Sequence, residues 1–295
     1  YNFDIKNPIT ADIEHPINVN YANLCPRFAA QSIINIDNQA ITPIWIREKL
    51  RKSGLRSINP IVDITNFVMM EIGQPLHAYD LNQINGPVVP RMAKQNETLV
   101  LLDENKVVLD QKTIVITDKS GPIGMAGVMG GLSTAVSGET TSVLFEAAYW
   151  PPTFMAGVAR RYGMHTDASL RFERGVDPKI QVLAINRATQ LLLSICGGSA
   201  GVVTDIKNEK FLPKKRIIKL SDKRLEKILG DKIESDIVTK ILERLNLTVT
   251  KLKNAWKVTA PLYRFDLKIE DDLIEEIARI YGFNRIKETT EVSSR

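Results

Sequence analysis

The sequence predicts an α+β fold in two parts: a large mixed α/β domain and, after it, a small winged-helix-like α+β domain. The chain of 295 residues is about as long as a single hydrophobic core can become before a chain divides. Apolar periodicity lapses and charge rises over residues 205–216, as is typical of a linker. We therefore expect a first domain over residues 1–208, with an extended lead-in over 1–25, and a second domain over 209–295.

Short strands and one early helix make up the first part of the predicted large domain. The segment "ITPIWIREKLRKSGL" predicts a helix, because Thr42 can cap it, Pro43 fits its first turn and Gly54 can end it. β-like runs with glycine-rich punctuation lie around it. They are "AAQSIINID" (29–37), "TLVLLD" (98–103), "KVVLD" (106–110), "TIVITD" (113–118) and "SVLFEAAYW" (142–150).

A second long helix closes the large domain. Asp177 is a good N-cap, Pro178 is a good first helical residue and Gly197 is a natural stop. The intervening "KIQVLAINRATQLLLSIC" carries apolar residues at helical spacing, which predicts a core helix.

The small domain has its own order of elements. Two short helices followed by a pair of strands resemble a winged-helix module, and roughly seventy residues suffice for such a unit to fold. The runs are "RIIKLS" (strand), "SDKRLEKILG" and "SDIVTKILERLN" (helices), "LTVTKL" and "AWKVTAP" (strands) and "EDDLIEEIARIYG" (helix).

Composition limits the class of protein. A hydrophobic fraction of 44% with 25% charged residues is ordinary for a soluble protein, and no apolar run is long enough for a membrane span. The formal charge of +5 permits a polyanionic partner without requiring one. Cys25 and Cys196 lie in apolar surroundings without C-x-x-C spacing, which indicates buried thiols. Because the chain starts at Tyr1 without a signal peptide, we expect a cytoplasmic fragment of a longer polypeptide.

An otherwise apolar segment, residues 56–80, contains several polar side chains that could hardly all be exposed. Buried polar groups need partners, so these residues form either an internal hydrogen-bond network or the wall of a polar pocket. They are Arg56, Asp63, Thr65, Asn66, Gln74, His77 and Asp80.

Two further features allow both a structural and a functional interpretation. The glycine-rich segment 121–131 lacks a phosphate-loop signature, so its glycines serve tight turns or let a ligand lie against the backbone. Glu146 interrupts an apolar strand, so it is either a solvent-side residue or an acceptor aimed into a cavity.

The stretch "GMHTDASLRFERGVDP", residues 163–178, is too polar to be typical of a plain helix or strand. Its arginines and Glu173 could form surface ion pairs. The small residues at its start predict a turn that would suit the floor of a pocket. These are His165, Thr166, Asp167, Ala168 and Ser169.

Four carboxylates gather near the start of the last predicted helix. They are Asp266, Asp272, Glu275 and Glu276, of which the last three share a helix face. Grouped carboxylates without histidine or thiolate favour a hard cation such as magnesium. The alternative is that acidic residues simply favour the first turns of a helix.

Together these stretches resemble the β subunit of bacterial phenylalanyl-tRNA synthetase. The match runs in order over nearly the whole chain and covers the family's editing domain and the small domain after it. It rests on "INPIVDITNFVMMEIGQPLHAYD", "MAGVMGG", "ARRYGMHTDASLRFERGVDP" and "YRFDLKIEDDLIEEIARIYGF".

The resemblance implies hydrolytic editing of Tyr-tRNA(Phe). An apolar synthetase pocket rejects an isostere with one added hydroxyl only weakly, so a second site must recognise that hydroxyl. By the resemblance, Glu146 reads the hydroxyl, and His77 and Arg56 lie near the scissile ester as catalytic residues. Matching pocket-wall positions are Thr65, Asn66, Gly130, Thr166 and Ala168.

The resemblance also implies partners. They are an α subunit in an α2β2 heterotetramer, the 3′ end of tRNA(Phe), and tyrosine or phenylalanine as small ligands. It implies Mg²⁺ at Asp266, Asp272, Glu275 and Glu276, in a site shared with the α subunit, whereas ATP belongs to the parent ligase only. The rival hypothesis is a noncatalytic scaffold that binds RNA or a protein partner.

Overall fold

The structure, a computed structural model, describes residues 10–286 and has the predicted α+β class. The chain divides into two units, with the boundary between Leu212 and Pro213. This boundary lies inside the predicted linker, although the first residues of that linker continue a strand, Ser199–Lys207. Among the described residues, no helix is both long and apolar enough to cross a membrane.

A four-stranded antiparallel sheet forms the centre of the first unit. Its order is β10-β1-β9-β2, with strands β10 (Ser199–Lys207), β1 (Arg27–Ile34), β9 (Ser142–Tyr149) and β2 (His77–Asp80). The runs 29–37 and 142–150 predicted β1 and β9, whereas no strand was predicted for β2 or β10.

This central sheet is buried on both faces. Successive side chains of a strand point to opposite faces. In β9, Val143, Phe145 and Ala147 pack into one hydrophobic core, whereas Leu144 and Ala148 pack into another. Glu146 alternates with the first set, so it lies on the same face as Leu144 and Ala148.

Helices cover the first of these two faces. They are α1 (Ile44–Lys52), α2 (Pro60–Ile72) and α6 (Gln181–Cys196). Three shorter helices follow β9 along the chain: α3 (Pro152–Met155), α4 (Val158–Arg161) and α5 (Asp167–Arg174).

A second antiparallel sheet contributes to the core on the Glu146 side. Its order is β3-β6-β7-β8, with β3 (Val89–Met92), β6 (Ile114–Asp118), β7 (Gly121–Met125) and β8 (Met129–Gly130). A separate hairpin pairs β4 (Thr98–Val100) with β5 (Lys106–Val108).

Two predicted helix starts are wrong. Pro43 is the N-cap of α1, because the Thr42 hydroxyl donates instead to Asp63 Oδ2 at 2.7 Å. Helix α6 begins at Gln181 rather than at Pro178, since the Asp177 carboxylate accepts from the Lys179 amide in a preceding turn. A local capping preference was outweighed in the first case by a more distant buried partner.

Residues 167–174 also differ from the prediction. The expected turn of small polar residues is the start of α5, and Thr166 is its N-cap. The Thr166 hydroxyl accepts from the Ser169 amide, and the Ser169 hydroxyl lies 3.2 Å from the Thr166 amide, a reciprocal capping box. Capping explains why so many small polar residues open this helix.

The second unit follows the predicted order of elements. It contains β11 (Ile217–Ser221), α7 (Asp222–Leu229), α8 (Ser235–Arg244), β12 (Thr248–Leu252), β13 (Ala255–Thr259) and α9 (Glu270–Tyr281). The three strands form an antiparallel sheet in the order β11-β13-β12. The apolar residues of the helices pack on one side of it, around Trp256.

The polar residues of 56–80 divide between the two predicted roles. Several make internal hydrogen bonds, and Asp63 and Gln74 make three each. The fully buried carboxylate of Asp63 accepts from the hydroxyls of Thr42 and Ser57, the latter at 2.5 Å, and from the Ile58 amide at 2.8 Å. These three bonds fasten the segments before and after α1 to helix α2.

We expect Asp63→Ala to lower the free energy of unfolding by about 2–4 kcal/mol, because three hydrogen bonds to a fully buried carboxylate would be lost. Chemical denaturation of the purified chain measures this. Glu48→Gln is the matched control, since Glu48 bonds only to Arg51 on the surface of α1. Equal stability of the two variants would contradict the role given to Asp63.

Candidate active site

A pocket lies on the Glu146 face of the central sheet. Its empty volume, which includes solvent at the mouth, is about 450 Å³. Strands β2 and β9, the glycine-rich hairpin β7–β8 and helix α5 supply most of its wall. The lining residues are Pro75, Leu76, His77, Tyr79, Ile116, Gly124, Met125, Ala126, Gly127, Val128, Met129, Gly130, Glu146, Ala148, Trp150, Ala168 and Phe172.

His77 and Glu146 lie directly opposite each other in the antiparallel pair β2–β9. Such opposed side chains on one face have Cβ atoms about 4.5–5.5 Å apart. The pairing therefore brings together two residues that are 69 positions apart in the sequence. Both were predicted site residues.

Glu146 is a buried carboxylic acid in a mostly apolar wall. It is 7% exposed, and Oε2 accepts a hydrogen bond from the Tyr79 hydroxyl at 2.5 Å. Burial raises the pKa of Glu146 to about 7, and the Tyr79 hydrogen bond opposes that rise. Near neutral pH this group can therefore be present in both protonation states.

His77 is half-buried and is neutral at physiological pH. Burial lowers the pKa of its imidazole to about 4. Its ring meets that of Tyr79 edge to face, with centroids 4.3 Å apart. Nε2 is buried and has no hydrogen-bond partner within residues 10–286. A buried nitrogen without a partner is a candidate contact for a ligand or a water molecule.

The glycine-rich hairpin can approach His77 because Gly130 has no side chain. A Cβ atom on Gly130 would lie 2.3 Å from Cε1 of His77. At Gly127 the backbone has a φ of +65°, and a Cβ atom would lie 2.7 Å from the Met155 side chain. The glycines thus serve both tight turns and close approach.

Thr166 and Ala168 hold α5 against this hairpin. Ala168 lines the pocket. Thr166 does not, but its hydroxyl donates to the carbonyl oxygen of Val128, a lining residue, at 3.1 Å. The N-terminal turn of α5 is therefore bonded to the pocket wall.

Besides Thr166, three predicted site residues lie outside the pocket lining. Arg56 is exposed and lines a different surface pocket together with Arg47 and Arg51. Thr65 and Asn66 lie on α2, and the Thr65 hydroxyl donates to the Val62 carbonyl oxygen in the same helix. Of the eight predicted residues, four line the pocket: His77, Gly130, Glu146 and Ala168.

Three of the four predicted metal ligands, Asp266, Asp272 and Glu276, are engaged in other interactions, and Glu275 is exposed. Arg264 donates to Asp266 at 2.6 Å and pairs with Glu276 at 3.4 Å, and this hydrogen bond lowers the pKa of Asp266. Asp272 accepts from the backbone amides of Lys268 and Ile269 at the start of α9. The part of the chain that the structure describes has no group of three or more His, Cys, Asp or Glu residues arranged to hold a metal ion. Within the described residues the carboxylates do not form a complete ligand set, and the shared Mg²⁺ site stays a prediction.

Sequence reasoning missed Tyr79 as a site residue. The signal was available, since Tyr79 follows His77 by two positions and successive strand side chains alternate between faces. The contribution of Trp150 and Phe172 to the wall had no comparable signal, because both reach the pocket from segments beyond β9.

The two buried titratable groups predict opposite dependences of stability on pH. From about pH 4.5 to 7 the folded chain keeps the Glu146 proton while the unfolded chain loses it, so the free energy of unfolding falls by about 3 kcal/mol as pH rises. From about pH 6.5 down to 4 the unfolded chain gains a His77 proton that the folded chain does not, so stability falls as pH decreases. The two effects offset each other where the windows overlap.

We therefore expect the two single variants to diverge in that overlap. Relative to the parent chain, the stability of Glu146→Gln should rise with pH, and that of His77→Asn should fall. Denaturation curves collected across about pH 4.5–6.5 test this. Parallel pH profiles for both variants and the parent would contradict the assigned pKa directions.

Gly130→Ala should displace the His77 ring and lower the free energy of unfolding by about 1–3 kcal/mol, because the new methyl group would overlap His77. Gly124→Ala is the matched control in the same hairpin, since its nearest neighbour would lie at 3.6 Å. Denaturation curves and the NMR shifts of the His77 ring measure both effects. An undisturbed His77 signal in Gly130→Ala would argue against the close approach.

Comparison with known proteins places the chain in a family. The B3/4 domain family matches residues 24–197, and the tRNA synthetase B5 domain family matches residues 218–283. The phenylalanine–tRNA ligase β subunits of Photorhabdus laumondii and Pectobacterium atrosepticum are 50% and 48% identical over 94% and 95% of this chain. The chain spans about a third of the length of these relatives, 35% in each case.

A solved N-terminal fragment of the phenylalanyl-tRNA synthetase β subunit from Pyrococcus horikoshii is also similar, with a TM-score of 0.42 and 12% identity over 95% of this chain and 79% of that one. Such a distant likeness adds nothing on the site. The match of the B3/4 family to more than half of the sequence is sufficient. The chain therefore belongs to the B3/4 domain family, and the predicted resemblance to the β subunit of bacterial phenylalanyl-tRNA synthetase is confirmed.

Proposed function

We propose that this chain hydrolyses the ester of Tyr-tRNA(Phe), as the editing part of a phenylalanine–tRNA ligase β subunit. The observation that supports this most strongly is the buried carboxylic acid of Glu146 in the wall of an otherwise mostly apolar pocket. A tyrosyl side chain would fill the apolar space and give its hydroxyl to Glu146.

Selectivity follows from what phenylalanine cannot do. With phenylalanine in the pocket, Glu146 would lose its water without gaining a partner, which costs about 1–3 kcal/mol. A site that hydrogen-bonds a substrate hydroxyl strongly rejects an analogue without that hydroxyl. An apolar pocket rejects an analogue with an added hydroxyl only weakly. The editing site would thus supply the discrimination that an apolar synthetase site lacks.

In this proposal His77 orients the attacking water. Nε2 of the neutral ring can accept a hydrogen bond from water, and it has no hydrogen-bond partner within residues 10–286. Because its pKa is low, His77 is better suited to position the water through a hydrogen bond than to remove and hold its proton. Backbone amides of the pocket wall are proposed to stabilise the oxyanion, since the Thr166 hydroxyl is bonded to the Val128 carbonyl oxygen and Thr65 and Asn66 lie outside the lining.

The remaining assignments concern the assembled enzyme. Arg56 is proposed to contact the 3′ end of tRNA(Phe), since an exposed guanidinium beside Arg47 and Arg51 suits RNA phosphates. The α subunit, the α2β2 assembly, Mg²⁺ bound with that subunit and a cytoplasmic location are proposed on the family resemblance. ATP would serve only the ligation reaction of the parent enzyme.

The test uses the complete β subunit assembled with the α subunit. We expect Glu146→Ala to reduce kcat/KM for Tyr-tRNA(Phe) hydrolysis about 10- to 100-fold, since the lost hydrogen bond is worth roughly 1–3 kcal/mol. Release of labelled tyrosine measures it. The surface variant Glu139→Gln is the control, since Glu139 is exposed and lies outside both the pocket lining and the Arg56 surface.

Undiminished hydrolysis by Glu146→Ala would exclude Glu146 as the hydroxyl reader. No hydrolysis by the unaltered enzyme would exclude the editing function and favour the scaffold hypothesis.

A further inference from the structure

Tyr79 is the side chain in the pocket that the proposed reaction does not yet use. It is 1% exposed, and its hydroxyl donates to Glu146 Oε2 at 2.5 Å. A methyl group on Gly124 would lie 3.8 Å from the Tyr79 hydroxyl, so the hairpin packs on it without a clash. The buried Tyr79 hydroxyl is thus held by a hydrogen bond to Glu146, the proposed recognition residue.

The direction of this bond is determined by the surroundings. Burial, the Glu146 charge and the hydrogen bond itself raise the pKa of Tyr79 well above its usual value, so the phenol keeps its proton and donates. Among the described residues, Tyr79 is the sole hydrogen-bond donor to the Glu146 side chain. The other carboxylate oxygen, Oε1, is left with no donor.

None of the side chains that line the pocket beside Glu146 carries a positive charge at neutral pH. His77 lies opposite Glu146 and is neutral, and Cys25 is a buried thiol whose pKa burial and the Glu146 charge both raise. The lining residues contributed by β7–β8 and by α5 carry no titratable side chain. An ionised Glu146 therefore has one neutral phenol as its stabilising partner.

We infer that Tyr79 is a specificity-determining positioning residue: its phenol holds Oε2 of Glu146 and presents Oε1 to the hydroxyl of a tyrosyl substrate. This inference rests on the proposed function. A carboxylate can accept on both oxygens, so two phenols can bond to it at the same time. The bond within the protein has the same phenol-to-carboxylate chemistry as the bond to the substrate.

The inference predicts two effects of removing the hydroxyl while keeping the ring. In Tyr79→Phe, Glu146 loses its fixed orientation and its one donor. Selectivity for Tyr-tRNA(Phe) over Phe-tRNA(Phe) should fall about tenfold or more, since a charged hydrogen bond is worth roughly 1.5–3 kcal/mol. The pH midpoint of the tyrosine-dependent rate should move upward, because loss of the bond disfavours the ionised carboxylate.

The experiment measures kcat and KM for both aminoacyl-tRNAs over a range of pH in the assembled α and β subunits. The variants are Tyr79→Phe, Glu146→Gln and the double variant. If Tyr79 acts through Glu146, the double variant should be no less selective than Glu146→Gln alone. Tyr162→Phe is the matched control, since it removes a hydroxyl that bonds Asp110 and Thr113 away from the pocket.

The outcomes separate this inference from the proposed function. Unchanged selectivity in Glu146→Gln would overturn the proposed function. The inference alone would be overturned if Glu146→Gln lost selectivity while Tyr79→Phe kept the wild-type selectivity and pH profile. Faster tyrosine release by Tyr79→Phe would also overturn it, because Tyr79 would then compete with the substrate.

A variant that keeps the ring and hydroxyl guards against misfolding of Tyr79→Phe. Fluorotyrosine at position 79 is a stronger hydrogen-bond donor of nearly the same size, so the pH midpoint should move downward. A midpoint that stays in place would overturn the inference.

Discussion

The site depends on one interaction above all, the antiparallel pairing of β2 with β9. This pairing fixes His77 opposite Glu146 and places Tyr79 on the same face. A slip of β2 by one residue would turn His77 and Tyr79 toward the helix-covered core and bring Ala78 to the pocket. Register is well specified here because both faces of β9 are buried, each against its own apolar cluster.

The cores on either side of the sheet also explain the unusual chemistry of the pocket. A carboxyl group between apolar layers is poorly hydrated, and the protein supplies one phenol rather than a cation to compensate it. An arginine partner would bind Glu146 more tightly, but it would also occupy the oxygens that a ligand needs. The poor local solvation of Glu146 is therefore consistent with a recognition role, since functional sites are where local stability rules are broken.

Sequence reasoning succeeded where the signal is local and failed where it is distant. The strand around Glu146, the order of elements in the second unit and the helical stop at Gly197 follow from alternation, periodicity and glycine. Strand β2 was not predicted, because four residues give little periodicity and the partner strand is far along the chain.

The same limit applies to capping and to side-chain placement. Thr42 is drawn away from its expected cap by Asp63, and Thr166 bonds across to Val128, and neither partner can be inferred from neighbouring residues. The family resemblance assigned His77 and Glu146 to one site, and both line the same pocket. It gave no indication that the Arg56 side chain lies beside Arg47 and Arg51 instead.

The carboxylates of the two units differ in the group that balances their charge, and this difference determines which ligands each can bind. Asp266 and Glu276 share Arg264, and the hydrogen bond from Arg264 keeps Asp266 readily ionised. To bind Asp266 and Glu276, a divalent cation would have to displace the Arg264 guanidinium from them. Glu146 has no such partner, and its ionisation depends on a neutral phenol. A polar but uncharged group such as a substrate hydroxyl can therefore bind at Glu146 without displacing any ion, which suits recognition of a neutral amino-acid side chain.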